Sequence, residues 1–386
     1  MPVQHRSPSE PPVDRVHVLL DSEPVGTLTM SASNALAFAY DQSWLTEGLS
    51  ISPLSLPLRE GVFVARCDPL NGTFGVFDDS MPDGWGRLLT DRMLRQRGIE
   101  PSSVSALSRL SIVGSSGMGA LEYKPAAEFA ERSPHADIDD IALECAQLLK
   151  TDFSPDLDRL FALGGSSGGA RPKILTEFDG RDWIIKFPSS VDSVNIGEQE
   201  YAISQIARVC GISMPQNRLF PSQQCSGYFG AQRFDRELLP DGSSMKVHMI
   251  SAGGLLETSH RLANLDYSLL MRLTMRICGS IHECEQLYRL MCFNVFIGNR
   301  DDHAKNFSYL YDRDNNIWKL SPAYDLTENT GINGEHATTV DGKGRDIGID
   351  NLVAVGVRAG ISRTRCMSYA KEIRECIADA GFSVQS

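Results

Sequence analysis

The stretch "NRDDHAKNF", residues 299–307, places two aspartates, a histidine, a lysine and an asparagine within nine positions. A carboxylate that can take a proton and an amide oxygen that can bind a cation are parts of a reaction centre. The same residues would also suit a solvated polar loop, so the flanking elements decide. Upstream, "EQLYRLMCFNVFIG" (285–298) reads as an apolar helix running into the stretch. Downstream, "FSYLY" (307–311) and "IWKL" (317–320) read as strands joined by the turn "DRDNN" (312–316). That turn lacks the glycine and terminal glutamate of a calcium loop. Pairing the strands brings their open ends together, so Asn306 lies near "SPAYDL" (321–326) and can converge with Asp325 on one cation. An amide and a carboxylate, with phosphates completing the shell, describe a Mg2+–nucleotide site.

The spacing separates the two aspartates. In the phosphoryl-transfer pattern H-R-D-x-x-x-x-N the base precedes the metal-binding asparagine by five residues. Asp301 stands in that relation to Asn306, and Arg300–Asp301 reproduces the R-D pair. Asp301 is therefore the candidate general base that orients a substrate hydroxyl and accepts its proton. Asp302 is one residue out of register and is expected to point elsewhere. Asn299 in place of histidine, His303 and Lys305 after the base, and "DLT" in place of D-F-G set the chain apart from ordinary eukaryotic-type kinases.

A second group lies upstream. "LGGSSGGARPKIL" (163–175) is a glycine-rich loop entering an apolar strand. Such loops let backbone N–H groups approach phosphate oxygens, although surface turns share this composition. No G-K-[ST] follows, so it is not a Walker loop. "KILTEF" (173–178), the turn "DG" and "DWIIKFP" (182–188) form a hairpin in which Lys186 shares a face with Ile184. Lys186 suits an α/β-phosphate contact, and a snorkelling edge lysine is the competing reading. In "EQEYAISQIARVCG" (198–211), Ile203, Ile206, Ala207 and Cys210 form a helical stripe with Glu200 at its edge. A carboxylate there needs a partner, and Lys186 is the candidate; the helix dipole offers another explanation for the glutamate.

The whole chain sets the frame. Its 386 residues exceed one typical core, and 42% hydrophobic and 22% charged content is ordinary for a soluble globular protein. A net charge of −12 argues against nucleic-acid binding by a bulk positive field. The nine cysteines form no C-x-x-C pair and are expected as reduced, packed thiols of a cytoplasmic protein. No apolar run approaches the ~20 residues needed to span a bilayer, so no membrane role is expected. Residues 1–12 are expected as a disordered tail, 13–124 as a small mixed α/β domain, 125–137 as a linker and 138–386 as the larger domain. Within the small domain, "RVHVLLD" (15–21), "PVGTLTM" (24–30) and "FAYDQSW" (38–44) suggest strands, and 84–98 a helix with Leu88, Leu89, Met93 and Leu94 on one stripe.

These stretches together resemble the HipA-type serine/threonine kinases, the toxins of bacterial toxin–antitoxin modules. The matching segments are "GARPK" (169–173), "IIKFP" (184–188), "QEYAISQIA" (199–207), "QRFDR" (232–236), "GNRDDHAKNF" (298–307) and "SPAYDL" (321–326). "LSLPLR" (54–59), "MPDGWGR" (81–87) and "GMGALEY" (117–123) extend the likeness through the N-terminal half. The resemblance implies an α+β fold: a two-lobed protein-kinase-like domain, with lobes at about 138–236 and 237–386, behind a small N-terminal domain. It implies ATP and Mg2+ as cofactors, Asp301 as catalytic base and Asn306 and Asp325 as metal ligands. Lys186 would bind phosphates, with Gly168, Gly169, Ala170, Arg171, Pro172 and Lys173 covering them. Gln232, Arg233 and Phe234 would hold adenine, and His303, Lys305 and Tyr324 would line the same cleft. A loop serine, Ser166 or Ser167, would be autophosphorylated. The implied partners are a HipB-like helix-turn-helix antitoxin, operator DNA through that antitoxin, and a protein substrate in translation such as an aminoacyl-tRNA synthetase.

Overall fold

The computed structural model describes residues 13–126, 137–151, 157–259 and 264–385. The expected tail 1–12 and positions 127–136 of the expected linker lie outside the described residues.

The N-terminal domain is built on a five-stranded sheet ordered Val62–Val64, Leu36–Tyr40, Glu23–Met30, Arg15–Leu20 and Leu121–Lys124. Arg15–Leu20 and Glu23–Met30 pair antiparallel across Asp21 and Ser22, whose φ angles of +50° and +68° give the twist a tight hairpin requires. The expected strand 38–44 is corrected: pairing stops at Tyr40, and Gln42–Glu47 is a helix. Trp44 is the buried residue of that helix, and its indole N–H donates to the Leu49 carbonyl at 2.9 Å. The helix Gly84–Gln96 forms as expected, with Leu89, Met93 and Leu94 buried and Leu88 half-buried. Its apolar face leaves its own domain, however, and packs with residues of Ile138–Lys150, Leu157–Gly164 and the next sheet.

That sheet has four antiparallel strands, ordered Lys173–Phe178, Arg181–Lys186, Tyr228–Gln232 and Asn217–Phe220. Asp179 and Gly180, both with positive φ, close its first hairpin and set Lys173 opposite Lys186. The helix Ile196–Val209 turns Ile203, Ile206 and Ala207 inward. This is the smaller lobe.

The larger lobe is helical around Ile281–Ile297, in which every residue from Leu290 to Ile297 is buried. A helix apolar on all sides belongs in the middle of a core, and each large side chain buried there contributes about 1.5–3 kcal/mol. It ends at Gly298, whose φ of +76° is the left-handed cap that only glycine adopts without strain. The chain emerges there into residues 299–307, then pairs Ser308–Asp312 with Ile317–Leu320. No helix among the described residues is long and apolar enough to cross a membrane.

Candidate active site

A cavity of about 550 Å³ lies between the two lobes. The hairpin does what the sequence requires of it. Tyr309 pairs with Leu320, and beyond their open end the Tyr324 hydroxyl donates to the Lys305 carbonyl at 2.5 Å and lies 2.6 Å from Ser308 Oγ. Asn306 and Asp325 thus line one cavity. The Asn306 side-chain N–H donates to the Asp301 carbonyl at 2.7 Å, which leaves its amide oxygen as the atom available to a ligand. Asp325 sits in the left-handed region at φ +58°, a conformation aspartate tolerates and that is concentrated at functional sites.

Lys186 closes the second strand of the small-lobe hairpin and reaches across the cleft. Its ammonium lies 2.5 Å from Glu200 Oε1 and makes a close ion pair with Asp325. Glu200 is 2% exposed, and its other oxygen accepts from Arg171 at 3.0 Å, so the buried carboxylate is satisfied on both sides. Burial pulls the Lys186 ammonium down, but the carboxylates of Asp325 and Glu200 outweigh it and hold it above the ordinary lysine range. Burial pushes the Asp325 carboxyl up, and Lys186 and Lys173 outweigh this and hold it well below its usual range. Lys173 is buried without such close carboxylates; desolvation lowers it to about 8, and its ammonium donates to the Gly168 carbonyl.

The two aspartates have separate environments. The Asp301 side chain is 65% exposed at the cavity, with His303 Nε2 4.0 Å away. Desolvation raises its pKa; His303 opposes this, while Asp325 and Asp302 add to it. Asp302 is 1% exposed and points inward, accepting from the Tyr267 hydroxyl at 2.9 Å and the Thr338 N–H at 3.2 Å, with His336 Nδ1 at 3.0 Å.

Of the positions expected to contact nucleotide, all but Arg171 and Pro172 line the cavity. The Arg171 guanidinium is turned to Glu200 and Asp192, and the Pro172 carbonyl accepts from the Phe187 N–H at 2.8 Å. The Phe234 ring lies 5.4 Å from that of Tyr324. Arg233 lines the cavity, but its guanidinium is engaged elsewhere. Its side chain is committed to a buried network, donating to Asp235 at 2.9 and 2.7 Å and to the Gly117 carbonyl at 3.1 Å. Asp235 also accepts from Arg236 at 3.0 Å and from the Gly119 N–H at 2.7 Å. Arg233 therefore latches the inter-lobe segment to the N-terminal domain, because a guanidinium 3% exposed needs a fixed carboxylate. Ser166 is half-buried and donates to the Ser116 carbonyl at 2.8 Å, whereas Ser167 is 2% exposed and donates to the Gly164 carbonyl at 2.6 Å.

Sequence reasoning missed the part played by the N-terminal domain. Asp79, Met81, Asp83, Gly84 and Met118 line the cavity, and Lys305 lies 3.1 Å from Asp78 and 3.3 Å from Asp83. The available signal was the acid-rich run 78–83 leading into two glycines around a tryptophan.

Comparison with known proteins follows the same division. Residues 16–124 match the family described as the HipA N-terminal domain, and residues 165–380 match the HipA-like C-terminal domain. Among curated proteins, the chain is similar to "Putative kinase Y4dM" of Sinorhizobium fredii, at 27% identity over 385 residues, covering 95% of this chain and 90% of that protein. It is similar to "Putative kinase Y4mE" of the same organism, at 27% identity, covering 81% of this chain and 76% of that protein. Among solved structures it resembles a chain of the Shewanella oneidensis toxin–antitoxin complex of HipA, HipB and operator DNA. That match has a TM-score of 0.71 at 17% identity and covers 95% of this chain and 90% of that one. The shared fold is α+β, with a two-lobed protein-kinase-like domain behind a small N-terminal domain. With the N-terminal domain and most of the two-lobed domain matched in order, the chain belongs to the HipA family.

Proposed function

We propose that this protein is an ATP- and Mg2+-dependent protein serine/threonine kinase of the cytoplasm, acting as the growth-inhibiting toxin of a toxin–antitoxin module. The observation that carries this reading is the cleft itself, where Lys186 bridges Glu200 and Asp325 in a cavity that Asp301 and Asn306 also line. The donor set fits a nucleotide-bound Mg2+, since the free amide oxygen of Asn306 and the carboxylate of Asp325 are both hard oxygen ligands. When bound, the ion would supply neutralisation of phosphate charge. Lys186 and the backbone N–H groups of Gly168 and Ala170 would hold phosphates, and Gln232, Phe234 and Tyr324 would frame the adenine. Asp301 would orient a serine or threonine hydroxyl and accept its proton, a role that a raised pKa assists.

The exposure difference favours Ser166 over Ser167 as the autophosphorylated serine, since Ser167 would first have to leave the core. A phosphoserine dianion in this loop would compete with ATP phosphates for the same donors. The partners that fit are a HipB-like helix-turn-helix antitoxin and a substrate in translation such as an aminoacyl-tRNA synthetase. Operator DNA would be reached through the antitoxin, as the chain's own charge of −12 disfavours direct contact.

The test compares wild type with Asp301→Asn for [γ-32P]ATP incorporation and growth arrest. Loss of both in the variant is expected, with phosphate mapped to Ser166 in the wild type. Equal incorporation and equal toxicity in the two proteins overturn the reading. The solved relative's complex with HipB and operator DNA favours a second, co-repressor role. That role predicts promoter repression retained by Asp301→Asn.

A further inference from the structure

Three contacts that Asp83 and Trp85 make with the glycine loop are unlike ordinary domain packing. Asp83 accepts the Gly169 N–H with Oδ1, and its Oδ2 lies 3.3 Å from the Lys305 ammonium. Two residues on, the Trp85 N–H donates to the Gly169 carbonyl at 2.8 Å. The Trp85 indole N–H donates to the Lys173 carbonyl at 3.1 Å. Both backbone groups of Gly169 are therefore held by residues 83 and 85. The approach is close enough to exclude side chains. A Cβ on Gly84 would stand 2.2 Å from the Gly169 carbonyl oxygen, and one on Gly86 would stand 2.1 Å from that of Ser167. Two glycines around a bulky indole are what a segment needs if another backbone is to lie against it.

We propose that Asp83 is a positioning residue of the phosphoryl-transfer centre, whose carboxylate ties the glycine loop to Lys305 of the aspartate loop. One oxygen fixes the loop through Gly169, and the other fixes the Lys305 ammonium, which lines the same cavity as the candidate base. The catalytic part of this assignment rests on the kinase reading above; the tie between loop and N-terminal domain does not. A loop rich in glycine has the most conformational freedom to lose, so an external anchor determines how much of its time it spends in one shape. Asp78, 3.1 Å from Lys305, can keep the ammonium near the cleft but has no bond to the loop. Asp83 is the carboxylate with contacts on both sides.

The experiment is hydrogen–deuterium exchange on the full chain, read at peptides spanning 163–173, for wild type, Asp83→Ala and Asp83→Asn. Loss of a charge-assisted hydrogen bond predicts exchange about tenfold faster in Asp83→Ala. Asparagine keeps one acceptor for the Gly169 N–H but turns an NH2 toward the Lys305 ammonium, so Asp83→Asn is expected to give loop protection between those of the wild type and Asp83→Ala. Kinetics on the same proteins are expected to show the KM for ATP raised about tenfold in Asp83→Ala, with kcat changed less. Loop exchange in Asp83→Ala equal to wild type overturns the proposal, and so does an asparagine variant no better protected than the alanine one. If the wild type neither binds nor turns over Mg·ATP while Asp83→Ala still loosens the loop, the kinase reading fails and the tie stands.

Discussion

Replacing Asp235 with alanine is a severe test of how the inter-lobe segment is held. Asp235 is wholly buried and accepts four hydrogen bonds, two from Arg233, one from Arg236 and one from the Gly119 N–H. Burial alone would push its carboxyl up, but the two guanidiniums outweigh that and hold it at about 2, below the ordinary 3.8. A depressed carboxyl contributes stability that is present above its unfolded value and lost as pH falls through its folded value. Here that contribution is about 2 kcal/mol at neutral pH, lost between about pH 4 and pH 2. Removing the side chain costs more than protonating it, because Arg233 is then left as a buried cation without its carboxylate. That situation costs about 3–5 kcal/mol. Urea denaturation followed by far-UV circular dichroism at pH 7 measures it, with tryptophan fluorescence as a second probe. A loss below about 1 kcal/mol in Asp235→Ala would refute the reasoning, since the network would then be worth no more than a surface ion pair.

Further expectations follow from neighbouring contacts. Glu200→Gln keeps the shape but removes the charge opposite Lys186 and Arg171, so the KM for ATP should rise on the order of tenfold; unchanged steady-state kinetics would reject the pairing. Asp302→Ala strips the acceptor from Tyr267 and the Thr338 N–H and should cost about 1–3 kcal/mol per stranded donor. A wild-type midpoint in scanning fluorimetry would contradict that. If Asp301 is the base, it must be ionised to act. Because its pKa is raised, phosphoryl transfer should be lost on the acid side at a pH above the ordinary 3.8. A pH–rate profile with its acid limb at or below that value would exclude the assignment.

What could be read from the sequence was mostly local. The hairpin 173–186 and the approach of Asn306 to the segment of Asp325 follow from period-two alternation and a strand pairing whose register the turn fixes, and the Lys186–Glu200 pair from a glutamate at the edge of a buried helical stripe. Asp302 could be set apart from Asp301 by spacing alone, but its buried partners Tyr267, His336 and Thr338 come from distant segments. Arg233 shows a different limit. Its position in the chain placed it at the cleft, yet its guanidinium is drawn away by a carboxylate two residues on and a carbonyl from another domain. The strand read through residues 38–44 failed because Phe38, Tyr40 and Trp44 fall at even spacing, so alternation alone does not distinguish a continued strand from the helix that buries Trp44. The acid-rich run marked the segment of Asp83 but not its role, because its partners Gly169 and Lys305 are joined to it only by the assembled fold.

The helix Ile281–Ile297 also limits where the family can vary in length. Because it is buried on all sides toward its C-terminal end, its rotation is fixed by its surroundings. One inserted residue would turn everything after it by ~100° about the axis and move Asp301 off the cleft. An insertion in the exposed turn at residues 313–316 would leave the paired strands, and therefore Asn306 and Asp325, where they are. Relatives that retain phosphoryl transfer should accordingly show no gaps between residues 290 and 306, and should tolerate them freely a few positions later.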